Sequence, residues 1–126
     1  MQKISNSKIA VIDDDCSVRG SICRLLTAYG YSVQGFARAE DFLTWENLHS
    51  TACVISDVAM SGMDGLALQS CLTKAKLQLP IIFVTAFEDE SKKARALSAG
   101  ACCYLIKPVK ADDLLTSIKT ALSRGH

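Results

Sequence analysis

The chain has few chain-breaking residues and no long apolar stretch. Two prolines and seven glycines in 126 residues exclude fibrous and low-complexity architectures. No run approaches the roughly 18 apolar residues of a membrane span. The opening, MQKISNSKIAVIDDD, turns acidic before any apolar core of signal-peptide length can form, so the expected location is the cytosol. Basic runs are also missing. The largest group is Lys92, Lys93 and Arg95, and the formal net charge is +1, which gives no footprint for direct nucleic-acid contact. The six cysteines show neither C-x-x-C spacing nor a metal-ligand pairing with His49 or His126. They read as reduced thiols, mostly small core fillers, and Cys102 and Cys103, if on a strand, should face opposite sides of it. Glycines are also absent from the first acidic turn, where a nucleotide-binding protein would place them.

What is present is 49% hydrophobic residues, enough for one domain that buries roughly two-thirds of its unfolded surface without staples. Five short apolar runs recur: IAVI (9–12), YSVQGF (31–36), CVI (53–55), IIFV (81–84) and CYLI (103–106). Helical spacing fills the gaps. Val18, Ile22, Leu25, Leu26 and Tyr29 make one amphipathic face, with Gly30 as its stop. Phe42 and Leu43, edged by Trp45, anchor a second, shorter helix. Asp64 caps a third carrying Leu68, Leu72 and Ala75. A fourth, from Asp89 or Glu90 to Ala99, offers mainly Ala94, Leu97 and Ala101, so it should be loosely held. Leu114, Leu115, Ile118, Ala121 and Leu122 define the fifth. This alternation predicts an α/β fold, a single doubly wound (βα)5 sandwich with five parallel strands.

A doubly wound sheet gathers the carboxyl ends of its strands, where ligands collect. Those ends carry Asp13, Asp14 and Asp15 after the first run, Asp57 after the third, Thr85 after the fourth and Lys107 after the fifth. Carboxylates a few ångströms apart repel by roughly 1 to 4 kcal/mol per close pair. Proton uptake, a fixed cation or a divalent metal could offset this, and an oxygen-only ligand set that keeps waters suits magnesium. A carboxylate, a magnesium site, a lysine and a hydroxyl donor fit phosphoryl transfer to Asp57 from a donor that brings its own phosphate. Asp15 reads as a helix-capping or solvated acid.

In VIDDD, VISDVAMSGMDG, FVTA and LIKP, in that order, the chain resembles the receiver domain of bacterial two-component response regulators over about residues 8–122. The resemblance implies one receiver domain spanning 1–126 with the flavodoxin-like strand order 2-1-3-4-5. YGYSVQGFARAEDFL and LPIIFVTA look most like the subgroup with a LuxR-type helix-turn-helix output. It further implies that Asp57 is the phosphoacceptor, that Asp13 and Asp14 position Mg2+ together with Asp57 and the Ala59 backbone carbonyl, and that Thr85 is the switch hydroxyl. Lys107 would be the salt-bridge partner of the phosphoryl group, Tyr104 the aromatic switch, and Lys107 to Pro108 a cis peptide. The implied partners are a sensor histidine kinase as donor and an output domain or downstream protein. A phosphorylation-dependent homodimer is also implied, through a face made of the fourth helix, fifth strand and fifth helix. On this reading the chain is not an enzyme beyond self-catalysed phosphoryl transfer and slow autodephosphorylation, and it is either a single-domain regulator or a piece of a longer one.

Ser61 departs from the family pattern, which has proline there. Without a ring fixing φ, the loop after Asp57 should be freer. Phe87, two residues past Thr85, is expected to shield the phosphoryl group from water. Two alternatives use the same residues differently: a haloacid-dehalogenase-like phosphatase with Asp13 as nucleophile, which lacks the later acidic pair that family needs, and a receiver-like interaction module that never carries phosphate.

Overall fold

A computed structural model describes residues 8–124; the expectations drawn from residues 1–7 and from His126 lie outside them. The five apolar runs form β1 (Lys8–Ile12), β2 (Ser32–Phe36), β3 (Thr51–Ser56), β4 (Ile81–Thr85) and β5 (Cys103–Ile106). Between and after them lie α1 (Cys16–Ala28), α2 (Ala39–Leu43), α3 (Gly65–Lys74), α4 (Glu90–Ser98) and α5 (Ala111–Arg124). All pairings are parallel and the strand order is β2-β1-β3-β4-β5, as expected.

Side chains alternate across the strands, and this alternation divides the core in two. Ala10, Ile12, Val54, Ile81 and Phe83 face a cluster with α2, α3 and α4. Ile9, Val11, Cys53, Ile55, Ile82 and Val84 face one with α1 and α5. Because β1, β3 and β4 are covered on both sides, their runs are apolar without interruption. Among the described residues no helix is long and apolar enough to cross a membrane.

Local signals behave as their chemistry dictates. Asp15, Asp64 and Asp89 cap α1, α3 and α4 by accepting from backbone N–H groups of the first turn. Gly30 and Gly100, at φ 91° and 104°, end α1 and α4 in the left-handed conformation that glycine tolerates.

Three packing expectations fail. Tyr29 and Ala75 are the C-cap residues of α1 and α3, beyond the last buried turn, and both are exposed. The helical face of α4 is also displaced: Ala94 and Leu97 are exposed, and Ala96 is the helix's one buried residue, with Ala101 buried just beyond it. Small Ala96 lets α4 approach the sheet, where Gln69 of α3 donates to the Ala96 carbonyl at 3.0 Å. The loose anchoring expected of α4 therefore holds, on a different residue. The cysteines are less buried than core fillers would be. Cys53 alone is fully buried, Cys16 is exposed and the other four are half-buried.

Candidate functional site

The site begins with backbone register. Asp57 N–H donates to the Ile12 carbonyl and Asp13 N–H to the Phe36 carbonyl, each at 3.0 Å, so the ladders continue one residue past β1 and β3. Two adjacent strands thus deliver Asp13 and Asp57 side by side, both buried, with Asp14 exposed beside them. One carboxylate oxygen from each of the three lies within 4.8 Å of the others.

Lys107 arrives from the end of β5. Its Nζ donates to Asp13 Oδ2 and to Asp57 Oδ2, both at 2.9 Å. Burial works against this ammonium, yet the hydrogen bonds and charges of Asp13 and Asp57 outweigh it and hold the pKa above the usual lysine value. Three carboxylates and one ammonium leave about two negative charges at neutral pH, the charge that one divalent cation would balance. The donors are oxygens throughout, so the set fits magnesium better than a thiophilic metal.

The second oxygen of Asp13 and of Asp57 accepts one backbone hydrogen bond, which leaves further lone pairs free for a cation. Asp13 Oδ1 accepts from Asp15 N–H at 2.9 Å and Asp57 Oδ1 from Ala59 N–H at 3.1 Å. The latter bond folds the chain back so that Ala59 lies beside the cluster. Thr85, buried at the end of β4, accepts from Phe87 N–H at 3.5 Å. Tyr104 is half-buried in β5 with its ring 6.2 Å from that of Phe83. Burial, and then the negative charges of Asp89, Asp57 and Glu90, push its phenol pKa up. The Lys107 to Pro108 peptide is cis, as expected.

Two expectations about the surrounding loops are corrected. The segment after Asp57 is held rather than free: Ser61 donates to Asp14 Oδ2 through its N–H at 3.1 Å and its hydroxyl at 3.3 Å. Proline could supply neither donor. Two residues on, Met63 N–H donates to Glu40 Oε2 at 3.3 Å. Hydrogen bonds from the backbone N–H groups of Glu40 itself and of Met63 hold the Glu40 carboxyl below the usual range. The ring of Phe87 is 72% exposed, so the water shield expected of it is not formed in this conformation.

Three contributors were not evident from sequence. Glu40 anchors the loop from α2, and Arg19 donates from α1 to the Asp13 carbonyl at 2.7 Å. Gly65 begins α3 against the Asp57 carbonyl so closely that a Cβ there would overlap it, and would also lie 2.8 Å from the Phe83 ring. None of the three carries a local sequence signal, because each works through a contact across the fold.

Comparison with known proteins agrees with this arrangement. The family profile described as "Response regulator receiver domain" matches residues 9–119. The chain belongs to this family. It is 38% identical over 117 residues to the transcriptional regulatory protein TdiR of Thauera aromatica, covering 93% of this chain and 52% of that protein. Against the transcriptional regulatory protein FixJ of Bradyrhizobium diazoefficiens it is 36% identical over 118 residues, covering 94% of this chain and 58% of that one. Among solved structures, the response regulator StyR superposes with a TM-score of 0.88 at 35% identity, covering 96% of this chain and 61% of that chain. The chain spans about half the length of the curated relatives it matches. As a receiver of the response-regulator type, it is a signalling module of the kind that works between sensor kinases and output domains. Family membership also displaces the phosphatase alternative built on Asp13.

Proposed function

We propose that this chain is a single receiver domain in which Asp57 accepts a phosphoryl group from the phosphohistidine of a sensor histidine kinase. The observation that carries this reading is the position of Lys107, whose Nζ lies 2.9 Å from both Asp13 and Asp57. An ammonium so placed raises no barrier to an incoming phosphate, and it can follow the charge as it moves from carboxylate to phosphoryl oxygen.

In the proposed step an Asp57 carboxylate oxygen attacks phosphorus in line. The new O–P bond forms as the P–N bond to the kinase imidazole breaks, and the imidazole leaves with the bonding electron pair. Asp13, Asp14, Asp57 and the Ala59 carbonyl would hold magnesium, which supplies charge neutralisation at the phosphoryl oxygens when bound. Product formation adds about two negative charges beside Lys107. Thr85 then turns its hydroxyl from the Phe87 amide toward the phosphoryl group, and Tyr104 moves inward as α4 repacks. The weak anchoring of α4 supports that choice of moving part.

The chain would therefore be a switch with self-catalysed transfer and autodephosphorylation, not a turnover enzyme, acting in the cytosol. Its similarity to transcriptional regulatory proteins supports an output on transcription, through a helix-turn-helix domain of the LuxR type, a downstream protein or phosphorylation-dependent dimerisation. Incubation with acetyl phosphate followed by intact mass tests the reading. One phosphoryl addition with magnesium, little without it and none in Asp57→Asn are expected. Equal addition in Asp57→Asn, or none at all, refutes it and leaves an interaction module that carries no phosphate.

A further inference from the structure

At the far end of β5 from Lys107, the sequence CC does something that a regular strand forbids. Adjacent strand residues point to opposite faces. Yet Cys102 and Cys103 hold their sulfurs 3.7 Å apart. The reason is that β5 starts at Cys103, so the alternation does not reach Cys102, which is fixed instead by its N–H donating to the Ile81 carbonyl at 2.8 Å. Cys103 is held in register opposite Ile82. Both thiols are free, half-buried and packed against the cluster shared with α5.

Two bonding modes are open to such a pair, and geometry separates them. Neighbouring Cα atoms lie about 3.8 Å apart, below the roughly 4.4 to 6.8 Å span of ordinary disulfides, so a direct S–S bond would be strained and easily reduced. A single atom bridging both sulfurs at about 2.3 Å with a near-tetrahedral angle sets them about 3.8 Å apart, close to the spacing already present. Structural zinc would need four ligands. Among the described residues the only group of three or more acidic, histidine or cysteine side chains close enough to share an ion is the aspartate cluster. The pair therefore suits a thiophile that requires two sulfurs and brings its own third substituent.

We propose that Cys102 and Cys103 form a dithiol site for monosubstituted trivalent arsenicals, independent of the phosphoryl chemistry. With an arsine oxide, R–As=O, two As–S bonds form and the As–O bond is lost. Both thiol protons leave with the oxygen as water, and no atom changes oxidation state. Occupancy would clamp the first residue of the strand that carries Tyr104.

The reduced, folded chain is treated with equimolar phenylarsine oxide and read by native intact mass. One adduct is expected, resistant to excess glutathione and removed by 2,3-dimercaptopropanol, because only a dithiol matches the chelate. Cys102→Ser and Cys103→Ser should each lose glutathione resistance, whereas Cys16→Ser and Cys71→Ser keep it. An adduct that glutathione strips from the unaltered chain, or one that survives intact in either Cys102→Ser or Cys103→Ser, overturns the proposal.

Discussion

Replacing Lys107 by methionine removes the cation from between two buried carboxylates while keeping most of the apolar stem. The side chains of Asp13 and Asp57 are 3% and 9% exposed, so solvent offers little compensation. Two unit charges within 4.8 Å of each other in a medium of effective dielectric about 20 repel by at least about 3.5 kcal/mol. Breaking buried ion pairs by removing one partner costs about 3 to 5 kcal/mol. The two routes agree on about 3 kcal/mol, a large share of the roughly 5 to 15 kcal/mol typical of a domain.

Urea unfolding can be followed at Trp45, the one tryptophan, whose ring packs 5.1 Å from Phe36. With slopes of about 1 to 3 kcal/mol/M, the midpoint should fall by about 1 to 3 M in Lys107→Met without magnesium. Saturating magnesium should narrow the gap from the unaltered chain, since the uncovered carboxylates gain more from a divalent ion. Adding Asp57→Asn should also restore stability, because the destabilising repulsion then has one partner fewer. A loss below about 1 kcal/mol, or a gap that neither magnesium nor Asp57→Asn narrows, refutes the electrostatic account of the cluster.

Gly65→Ala should lower stability by about 1 to 3 kcal/mol and slow phosphorylation, since the new methyl group meets the Asp57 carbonyl and the Phe83 ring; an unchanged urea midpoint would show that α3 can retreat. Ser61→Pro deletes both donors to Asp14, so amide exchange at Gly62 and Met63 should quicken, and equal exchange would mean that Glu40 alone holds the loop. The raised pKa of Lys107 means that its ion pairs contribute fully below the unfolded lysine value of about 10.4 and are lost as pH climbs through the higher folded value. Thermal melts from about pH 9 to pH 12 should therefore show an alkaline loss that Lys107→Met lacks; parallel curves would contradict it.

The sheet was legible because its signals are local. Each strand is a short apolar run, each helix a periodic one, and the doubly wound rule alone predicts that Asp13, Asp57, Thr85 and Lys107 lie at the carboxyl ends of their strands. What sequence did not reveal lies in contacts between distant segments. Ser61 meets Asp14 across 47 positions, Gln69 meets Ala96 across 27 and Met63 meets Glu40 across 23. Periodicity carries no information at such separations. Ser61 shows the cost most clearly: the missing proline ring was visible and pointed to freedom, but the N–H and hydroxyl that serine adds point to attachment, and only the position of Asp14 decides between them. The face of α4 was misjudged for a related reason. Ala94, Leu97 and Ala101 were taken as the anchors, whereas close approach to the sheet selects Ala96 along with Ala101 and leaves Leu97 42% exposed.

That misjudgement bears on how a switch of this kind can work. The chemical half of the molecule stands on β1, β3 and β4, whose central residues are sealed on both faces, so the strand backbone that presents Asp13, Asp57 and Thr85 cannot shift without opening the core, although the Thr85 hydroxyl can still rotate. The reporting half is built thinly. α4 buries one alanine while α5 buries Leu114, Ser117, Ile118 and Ala121, and no residue of β5 is fully buried. Burial of apolar surface at about 25 cal/mol per Å2 gives α5 several times the hold that α4 has. A new charge at Asp57 is worth a few kcal/mol at contact distance, enough to reposition a helix held by one methyl group and the Gln69 hydrogen bond but not one held by a full apolar face. Movement should therefore concentrate in α4 and in Tyr104 beside it, while α5 serves as the fixed support against which the displacement is read.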